Sequence, residues 1–392
     1  MADPQRRGGA QSADRQERRT VLPQAPGGPG RRGCDGLVRK HEIPGVAGVL
    51  TPEQCRQTGE SIAATQESTG ALPWFDGGHT DPWDHVENAM ALSVTGLWDE
   101  ARAGYDWCRD TQRADGSWPI QFRNGVIEDA NSDSNFCAYV ATGVWHHVLV
   151  TRDRGFAEDM WPVVSKAIDF VLTLQLAEGQ IAWAASPAGI IQEALLTGNS
   201  SVYHAIRCAI ALSNYLGDPQ PEWEVAVGQL GHAIAEHPES FLAKDTHSME
   251  WYYPVLGGAI RGEAARARID ARWDEFVVPG LGIRCIDHRP WVTGAETCEL
   301  VMALDAMGDT ARAHEQFAAM HHLRETDGSY WTGLVFSDGK RWPVERTTWT
   351  GAAMILAADA LSSTTAASGI FRGHDLPRGL EGEFDCACAT RR

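Results

Sequence analysis

The sequence predicts an all-α protein, an (α/α)6 barrel in which six helical hairpins close into a ring. Apolar residues recur with the 3.6-residue period of a helix in twelve segments. Short and long links alternate between these segments. Helices that follow long links are apolar nearly all round, whereas helices that follow short links are amphipathic. An open helical solenoid or two bundles are the alternatives, and the scarcity of charge on the apolar helices favours closure.

The sequence predicts twelve helices, and no run of residues has the pattern of a strand. They span 52–66, 84–96, 98–113, 134–152, 156–176, 200–216, 222–238, 247–258, 263–276, 293–307, 309–323 and 346–362. Short links hold Gly or Pro and join helices as antiparallel hairpins. The long links are 67–83, 114–133, 177–199, 239–246, 277–292 and 324–345. Because the short links make antiparallel hairpins, the long links must all lie at one end of the barrel, together with the N-termini of the six apolar helices.

Composition limits the classes of partner. The chain has 392 residues, of which 43% are hydrophobic and 22% charged, and its net charge is −18. Such an acidic chain lacks the clustered Lys and Arg that nucleic-acid binding needs. No apolar run approaches the roughly 20 residues that span a bilayer, and the N-terminus lacks the apolar core of a signal peptide. We therefore expect a cytoplasmic protein with no membrane span.

The predicted organisation has three parts. Residues 1–45 are expected to be a disordered N-terminal segment, 46–363 the barrel domain, and 364–392 a flexible C-terminal tail. The nine Cys are scattered and typical of buried thiols in a reducing compartment. Only Cys386 and Cys388 lie close together, in a tail that supplies no further metal ligands. Neither a metal site nor a cofactor is expected, because HExxH and paired CxxC patterns are absent.

The long links and the helix starts that follow them are crowded with Trp, Asp, His and Glu. Aromatic rings stack on sugar faces, and polar side chains bind hydroxyl groups. Any one of these residues is explained by a turn, a helix cap or packing, but the same composition in six links at one end favours a sugar site. The candidate substrate-binding residues are Trp83, Asp84, His85, Trp118, Asp129, Trp183, Tyr203, His204, Glu250, Trp251, Tyr252, Trp291, Glu296, Trp331, Trp342 and Trp349.

Glu345 is the foremost catalytic candidate. It precedes the last apolar helix, between Trp342 and Trp349, although an acid at a helix N-terminus is also explained by the helix dipole. Hydrolysis of an acetal by acid–base chemistry needs a second carboxylate across the mouth. Spacing cannot choose among the possible partners, which are Asp129, Asp133, Glu193, Glu250 and Glu296.

Two segments resemble the six-hairpin glycosidases, such as glucoamylases and glycogen-debranching-type enzymes. The first is DANSDSNFCAYVATGVWHHVLVTRDRGFAEDMWPVVSKAIDFVLTLQ followed by EGQIAWA; the second is ERTTWTGAAMILA. The resemblance implies glycoside hydrolysis or transfer, with Glu345 as the general base. In that family the general acid directly follows the Trp of the third long link, but here Trp183 is followed by Ala184. Glu193, later in the same link, is the candidate substitute for the acid; the alternative is that the protein is no hydrolase, or performs a different chemistry on the same barrel. A pair acting through a water would be inverting, with carboxylates roughly 6.5–9.5 Å apart.

A second, weaker resemblance competes with the first. QRADGSW is similar to the Gln-Trp repeat of squalene cyclases and of the protein prenyltransferase toroid, which is also an α/α barrel. It implies a terpenoid cyclase or prenyltransferase-like protein that binds an isoprenoid among aromatic walls. The Asp-x-Asp-Asp acid of the cyclases is absent, and zinc ligands are not evident. A non-catalytic sugar-binding barrel is the third hypothesis.

Overall fold

The computed structural model describes residues 41–379. The helices of this part are α1 (Pro52–Ala63), α2 (Pro82–Val94), α3 (Trp98–Thr111), α4 (Ser134–Thr151), α5 (Arg154–Leu172), α6 (Leu196–Leu216), α7 (Pro221–Glu236), α8 (Ser248–Leu256), α9 (Gly262–Ala271), α10 (Trp273–Phe276), α11 (Gly294–Ala306), α12 (Thr310–Ala319) and α13 (Thr348–Ser362). All twelve predicted helical segments are present. None of the helices between residues 41 and 379 has the length and apolarity needed to cross a membrane.

Six of these helices form a closed inner ring. Each of α2, α4, α6, α8, α11 and α13 packs against the next, and α13 packs against α2. The outer partners α3, α5, α7, α9 and α12 each pack on the inner helix that precedes them, and α1 packs on α13. The first and last helices of the chain therefore complete the sixth hairpin. This closure confirms the predicted (α/α)6 barrel.

Local sequence explains where the inner helices begin. The Asp81 carboxylate caps α2 by accepting a hydrogen bond from the backbone N–H of Asp84, and Pro82 occupies the first turn. The Asp133 carboxylate caps α4 in the same way. Both helices are then buried along nearly their whole length. Capping thus fixes where α2 and α4 begin, at the loop end of the ring.

The prediction that the chain lacks strands is wrong. Ten short strands lie in four of the long links: β1 (Gln121–Arg123), β2 (Val126–Asp129), β3 (Ser132–Asp133), β4 (Ala184–Ser186), β5 (Gly189–Ile191), β6 (Val277–Val278), β7 (Gly282–Arg284), β8 (Trp291–Thr293), β9 (Gly333–Val335) and β10 (Lys340–Arg341). They pair antiparallel as β1-β2, β3-β4-β5 and β10-β9-β8-β7-β6. Strands of two to four residues are too short to produce a recognisable alternation of apolar and polar residues.

The end of the described chain packs against the barrel. The Phe371 ring stacks on His204 with centroids 5.0 Å apart. The guanidinium of Arg207 donates hydrogen bonds to the carbonyls of Gly373 and Pro377, each at 2.9 Å. Arg372 forms an ion pair of 2.8 Å with Asp305 near the end of α11. The segment predicted to be a flexible tail therefore covers the C-terminal ends of inner helices as far as residue 379. Residues 1–40, and the pair Cys386 and Cys388, lie outside the described residues.

We expect Phe371→Ala to lower the free energy of unfolding by about 3 kcal/mol, because it removes a buried aromatic ring and leaves a cavity. Phe371 is only 8% exposed. Urea unfolding monitored by circular dichroism measures the change. His374→Ala, three residues away at an exposed position, is the matched control and should change stability by less than about 0.5 kcal/mol. Equal stability of Phe371→Ala and the native protein would show that this segment does not stabilise the barrel.

Candidate active site

Aromatic rings from three inner helices meet around Trp83. The Trp83 ring on α2 lies 5.9 Å from Phe136 and 5.9 Å from Tyr139, both on α4. It lies 5.7 Å, edge to face, from Tyr253 on α8. All four residues are in the first or second turn of their helices. The loop end of the ring is therefore walled by aromatic side chains, as a sugar site requires.

Three carboxyl groups project into this wall. Asp84 and Glu87 are one turn apart on α2, so they share a face. Glu299 lies on α11 and is fully buried. The Tyr139 hydroxyl donates to Glu87 at 2.8 Å, and the Tyr253 hydroxyl donates to Glu299 at 2.8 Å. Side chains from α2, α4, α8 and α11 thus form one buried network.

The buried acids raise one another's pKa. Burial is the main cause at Asp84, and the charges of Asp81, Glu87 and Glu299 raise its pKa further above the ordinary range. Burial raises the pKa of Glu87 to about 7. At Glu299, burial and the charge of Glu87 raise the pKa. Burial and mutual repulsion therefore favour the protonated form of carboxyl groups in this cluster, as a general acid requires.

The surroundings of Asp84 and Glu299 differ in a way that separates their roles. Tyr252 and Tyr253 both donate hydrogen bonds to Glu299, and these two bonds favour the ionised carboxylate and oppose the rise in its pKa. Asp84 instead lies within hydrogen-bonding reach of the Asp81 carboxyl group. A proton on Asp84 relieves this repulsion. The arrangement suits one protonated and one ionised carboxyl group in the same site.

Several polar atoms beside the acids have no partner. Within residues 41–379, no hydrogen bond is made by the indole nitrogens of Trp74, Trp83 and Trp349, the free oxygen of Glu87, or the side-chain oxygen of Asn88. Trp83 and Trp349 lie close enough to Glu87 to lower its pKa, but without the geometry of a hydrogen bond. Buried polar groups are normally satisfied. Because these atoms are buried, a ligand rich in hydroxyl groups would bond to them only after the surrounding side chains move.

The structure brings together four of the sequence-predicted residues: Trp83, Asp84, Tyr252 and Trp349. Asp133 lies close by, because the charge of Asp81 contributes to its raised pKa. Burial is the main cause there and raises the pKa of Asp133 to about 7.

Two further predicted acids lie at the starts of neighbouring inner helices. Glu296 on α11 accepts a hydrogen bond of 3.1 Å from the Ser248 hydroxyl. Glu250 on α8 accepts one of 2.8 Å from the Thr197 hydroxyl. Burial raises the pKa of both. Both oxygens of Glu296 accept hydrogen bonds from hydroxyl groups, whereas the bonds to Glu250 reach one of its oxygens.

Other predicted residues lie within the helix packing. His85 accepts the backbone N–H of Leu72 at 3.0 Å, and its other ring nitrogen donates to the carbonyl of Gly104 at 2.9 Å. This uses both ring nitrogens. The indole of Trp118 is 1% exposed and donates to the carbonyl of Cys108 at 2.9 Å. These contacts join inner to outer elements and give both residues a packing role.

Three more predicted residues make packing contacts outside the acid network. Trp251 stacks on Phe276 with centroids 5.1 Å apart. Tyr203 lies under the guanidinium of Arg207 at 5.5 Å. His204 is buried beneath the C-terminal segment. Their contacts account for their burial without a ligand.

The remaining aromatic candidates belong to the links at the mouth. Trp291 packs edge to face on Trp342 at 4.7 Å and donates to its carbonyl at 2.7 Å. Trp342 is 51% exposed. Trp183 and Trp331 are half-buried, and the Asp129 carboxylate accepts the N–H of Asn131 in a local turn. These residues surround the mouth without contacting the acid network.

The two other catalytic candidates lie apart from that network. Partial burial raises the pKa of Glu345, which lines a groove beside α1. Glu193 is exposed, and its carbonyl accepts the N–H of Trp183 at 2.8 Å. In the part of the chain that the structure describes, no hydrogen bond joins the side chains of Glu345, Glu193 and Asp133.

Sequence reasoning missed Glu87 and Glu299, together with the tyrosines Tyr139 and Tyr253. A signal was available: both acids lie in the second turn of an inner helix whose later residues are largely apolar. A buried carboxylate is costly unless it is paired or functional. Acids in the second turn of an inner helix are therefore as strong candidates for a catalytic or binding role as acids in the links.

Comparisons with known proteins show the family and the fold of this chain. The chain is 79% identical over 348 residues to the MMP endo-(1,4)-3-O-methyl-alpha-D-mannosidase of Mycolicibacterium hassiacum, which covers 89% of this chain and 97% of that protein. No family model matches. Among solved structures, a glycosidase variant in complex with glucose has a TM-score of 0.62 at 15% identity, covering 83% of this chain and 97% of the other. A D-mannose isomerase has a TM-score of 0.62 at 11% identity, covering 78% and 96%. These structural likenesses concern the fold alone.

Proposed function

Because this chain belongs to the family of the M. hassiacum endo-(1,4)-3-O-methyl-α-D-mannosidase, we propose that it cleaves internal 1,4 bonds in chains of 3-O-methylated α-mannose. Membership makes it a glycoside hydrolase, a carbohydrate-active enzyme whose substrates are sugars. This favours the first sequence hypothesis over an isoprenoid ligand or a non-catalytic binder. We also propose that the barrel has the more specific layout of the glucoamylases and glycogen-debranching-type enzymes.

The observation that carries the mechanism is the buried pair Asp84 and Glu299 beside the Trp83 ring. We assign Asp84 as the general acid, because its negative neighbours favour its protonated form. It donates its proton to the glycosidic oxygen as the bond to the anomeric carbon breaks. Glu299, held by two tyrosine hydroxyls, takes a proton from the attacking water. The oxygen of that water forms the new bond to the anomeric carbon.

Glu87 and the unpartnered indoles are assigned to substrate binding. One carboxylate oxygen of Glu87 accepts a hydrogen bond from the Tyr139 hydroxyl, and the other oxygen has no hydrogen-bond partner among residues 41–379. A sugar hydroxyl can donate to it, while the N–H groups of Trp83 and Trp349 donate to sugar oxygens. The ring faces provide apolar surface that suits a methyl ether as well as the C–H face of a sugar. Asp133, Glu250 and Glu296 are proposed to support this site from the adjoining helix starts.

The substrate assignment predicts an endo pattern of products. Wild-type enzyme incubated with 3-O-methylated α-1,4-mannooligosaccharides should release shorter oligosaccharides from the outset, with monosaccharide a minor product. Mass spectrometry of early time points measures the distribution. Unmethylated α-mannooligosaccharides of equal length are the matched control and should react at least tenfold more slowly in kcat/KM. Initial release of monosaccharide alone, or faster turnover of an α-glucan, would contradict the substrate assignment.

A further inference from the structure

A groove of about 610 Å3 lies beside the mouth of the barrel. It runs between the C-terminal half of α1 and the link that precedes α13. This volume falls within the range of small-molecule sites. The lining residues used below are Glu60, Phe75, Tyr330, Val344 and Glu345.

The groove adjoins the acid network on two sides. Phe75 follows Trp74, whose ring lies 6.0 Å from that of Trp349. Thr348 also lines the groove, and its hydroxyl accepts a hydrogen bond of 2.9 Å from Asn88 on α2. These two contacts place the groove next to residues that border the acid network.

The chemistry of the groove suits a neutral, partly apolar ligand. Val344 is 83% exposed, and Phe75 is half-buried beside it in the lining. Glu60 and Glu345 can accept hydrogen bonds from hydroxyl groups, and the Arg346 guanidinium in the same lining is paired with Asp327 at 2.8 Å. Tyr330 is 1% exposed, and its hydroxyl has no hydrogen-bond partner within residues 41–379. Exposed apolar side chains next to carboxylates match a glycan that carries both methyl ethers and free hydroxyls.

We propose that this groove is a distal subsite, which binds 3-O-methylated mannose units some distance along the chain from the cleaved bond. This inference rests on the proposed function, and it gives the glycan substrate a second point of attachment on the protein. Because an endo-acting enzyme must hold polymer beyond the reacting sugar, such a subsite contributes to affinity for long ligands only. It also gives Glu345 a role in binding hydroxyl groups.

Titration calorimetry with the inactive variant Glu299→Gln tests the subsite. Methylated α-mannooligosaccharides of two lengths are used, one that fills only the central site and one several units longer. The longer ligand should bind at least tenfold more tightly. Adding Val344→Asp should remove most of this gain, because it places a charge where methyl groups pack, while Kd for the short ligand changes less than twofold. Phe75→Ala should act in the same direction. Val225→Asp is the matched control, since Val225 is 41% exposed on α7.

Three results would overturn the subsite: equal affinity of the two lengths, an unchanged length dependence in Val344→Asp and Phe75→Ala, or equal weakening of short and long ligands. Thermal melts of each variant show whether it is folded. Failure of the proposed function has a different signature, because wild-type enzyme would then leave the methylated oligosaccharides uncut whatever their affinity.

Discussion

Glu299→Gln is expected to lower kcat by about a thousandfold, the loss typical of removing a general base. An amide of the same size can accept a hydrogen bond from one of the two tyrosines, but it cannot take a proton from water. Initial rates on a methylated oligosaccharide measure the effect. KM should change little, because the group acts on the water and not on the bound sugar.

Glu345→Gln is the comparator for this experiment, since it makes the same change at the acid that sequence analysis ranked first. We expect a loss of less than tenfold in kcat, because Glu345 lies in the groove beside α1. The opposite result, a thousandfold loss in Glu345→Gln with Glu299→Gln active, would reinstate Glu345 as the base and remove the proposed mechanism.

Asp84→Asn is expected to lower kcat/KM on the natural glycosidic bond by about a thousandfold, because the amide cannot protonate the leaving oxygen. The loss should depend on the leaving group. Fluoride departs without a proton, so an α-glycosyl fluoride of the same oligosaccharide should be hydrolysed by Asp84→Asn within about tenfold of the wild-type rate. Glu299→Gln should remain slow on the fluoride. Equal loss on both substrates would exclude Asp84 as the general acid.

The pH dependence of kcat/KM gives a second test of Asp84 as the general acid. The charge of Asp81 raises the pKa of Asp84, so Asp81→Asn should lower that pKa. A general acid works only when it is protonated, and the alkaline limb of the kcat/KM profile should therefore move to lower pH. Asn caps a helix about as well as Asp, which keeps α2 intact. An alkaline limb that stays in place in Asp81→Asn would show that another group sets it.

The sequence alone determined the helices, their alternation between buried and half-exposed, and the end at which the long links gather. These properties follow from local patterns: a 3.6-residue period, and Gly and Pro in short links. The same patterns predicted aromatic residues at one mouth, and Trp83, Asp84, Tyr252 and Trp349 were four of sixteen equally ranked candidates for substrate binding.

Tertiary structure decided which carboxyl groups meet. Glu299 and Glu345 are both acids near the start of an inner helix, yet one is buried against two tyrosines and the other lines an outer groove. Packing sets how α11 is rotated about its own axis, and hence that Glu299 faces the centre of the ring, whereas Glu345 lies in the link before α13, whose path depends on tertiary contacts. Packing likewise covers the inner helices with the segment around Phe371. Its few apolar residues form no periodic pattern, so local sequence could not predict that contact.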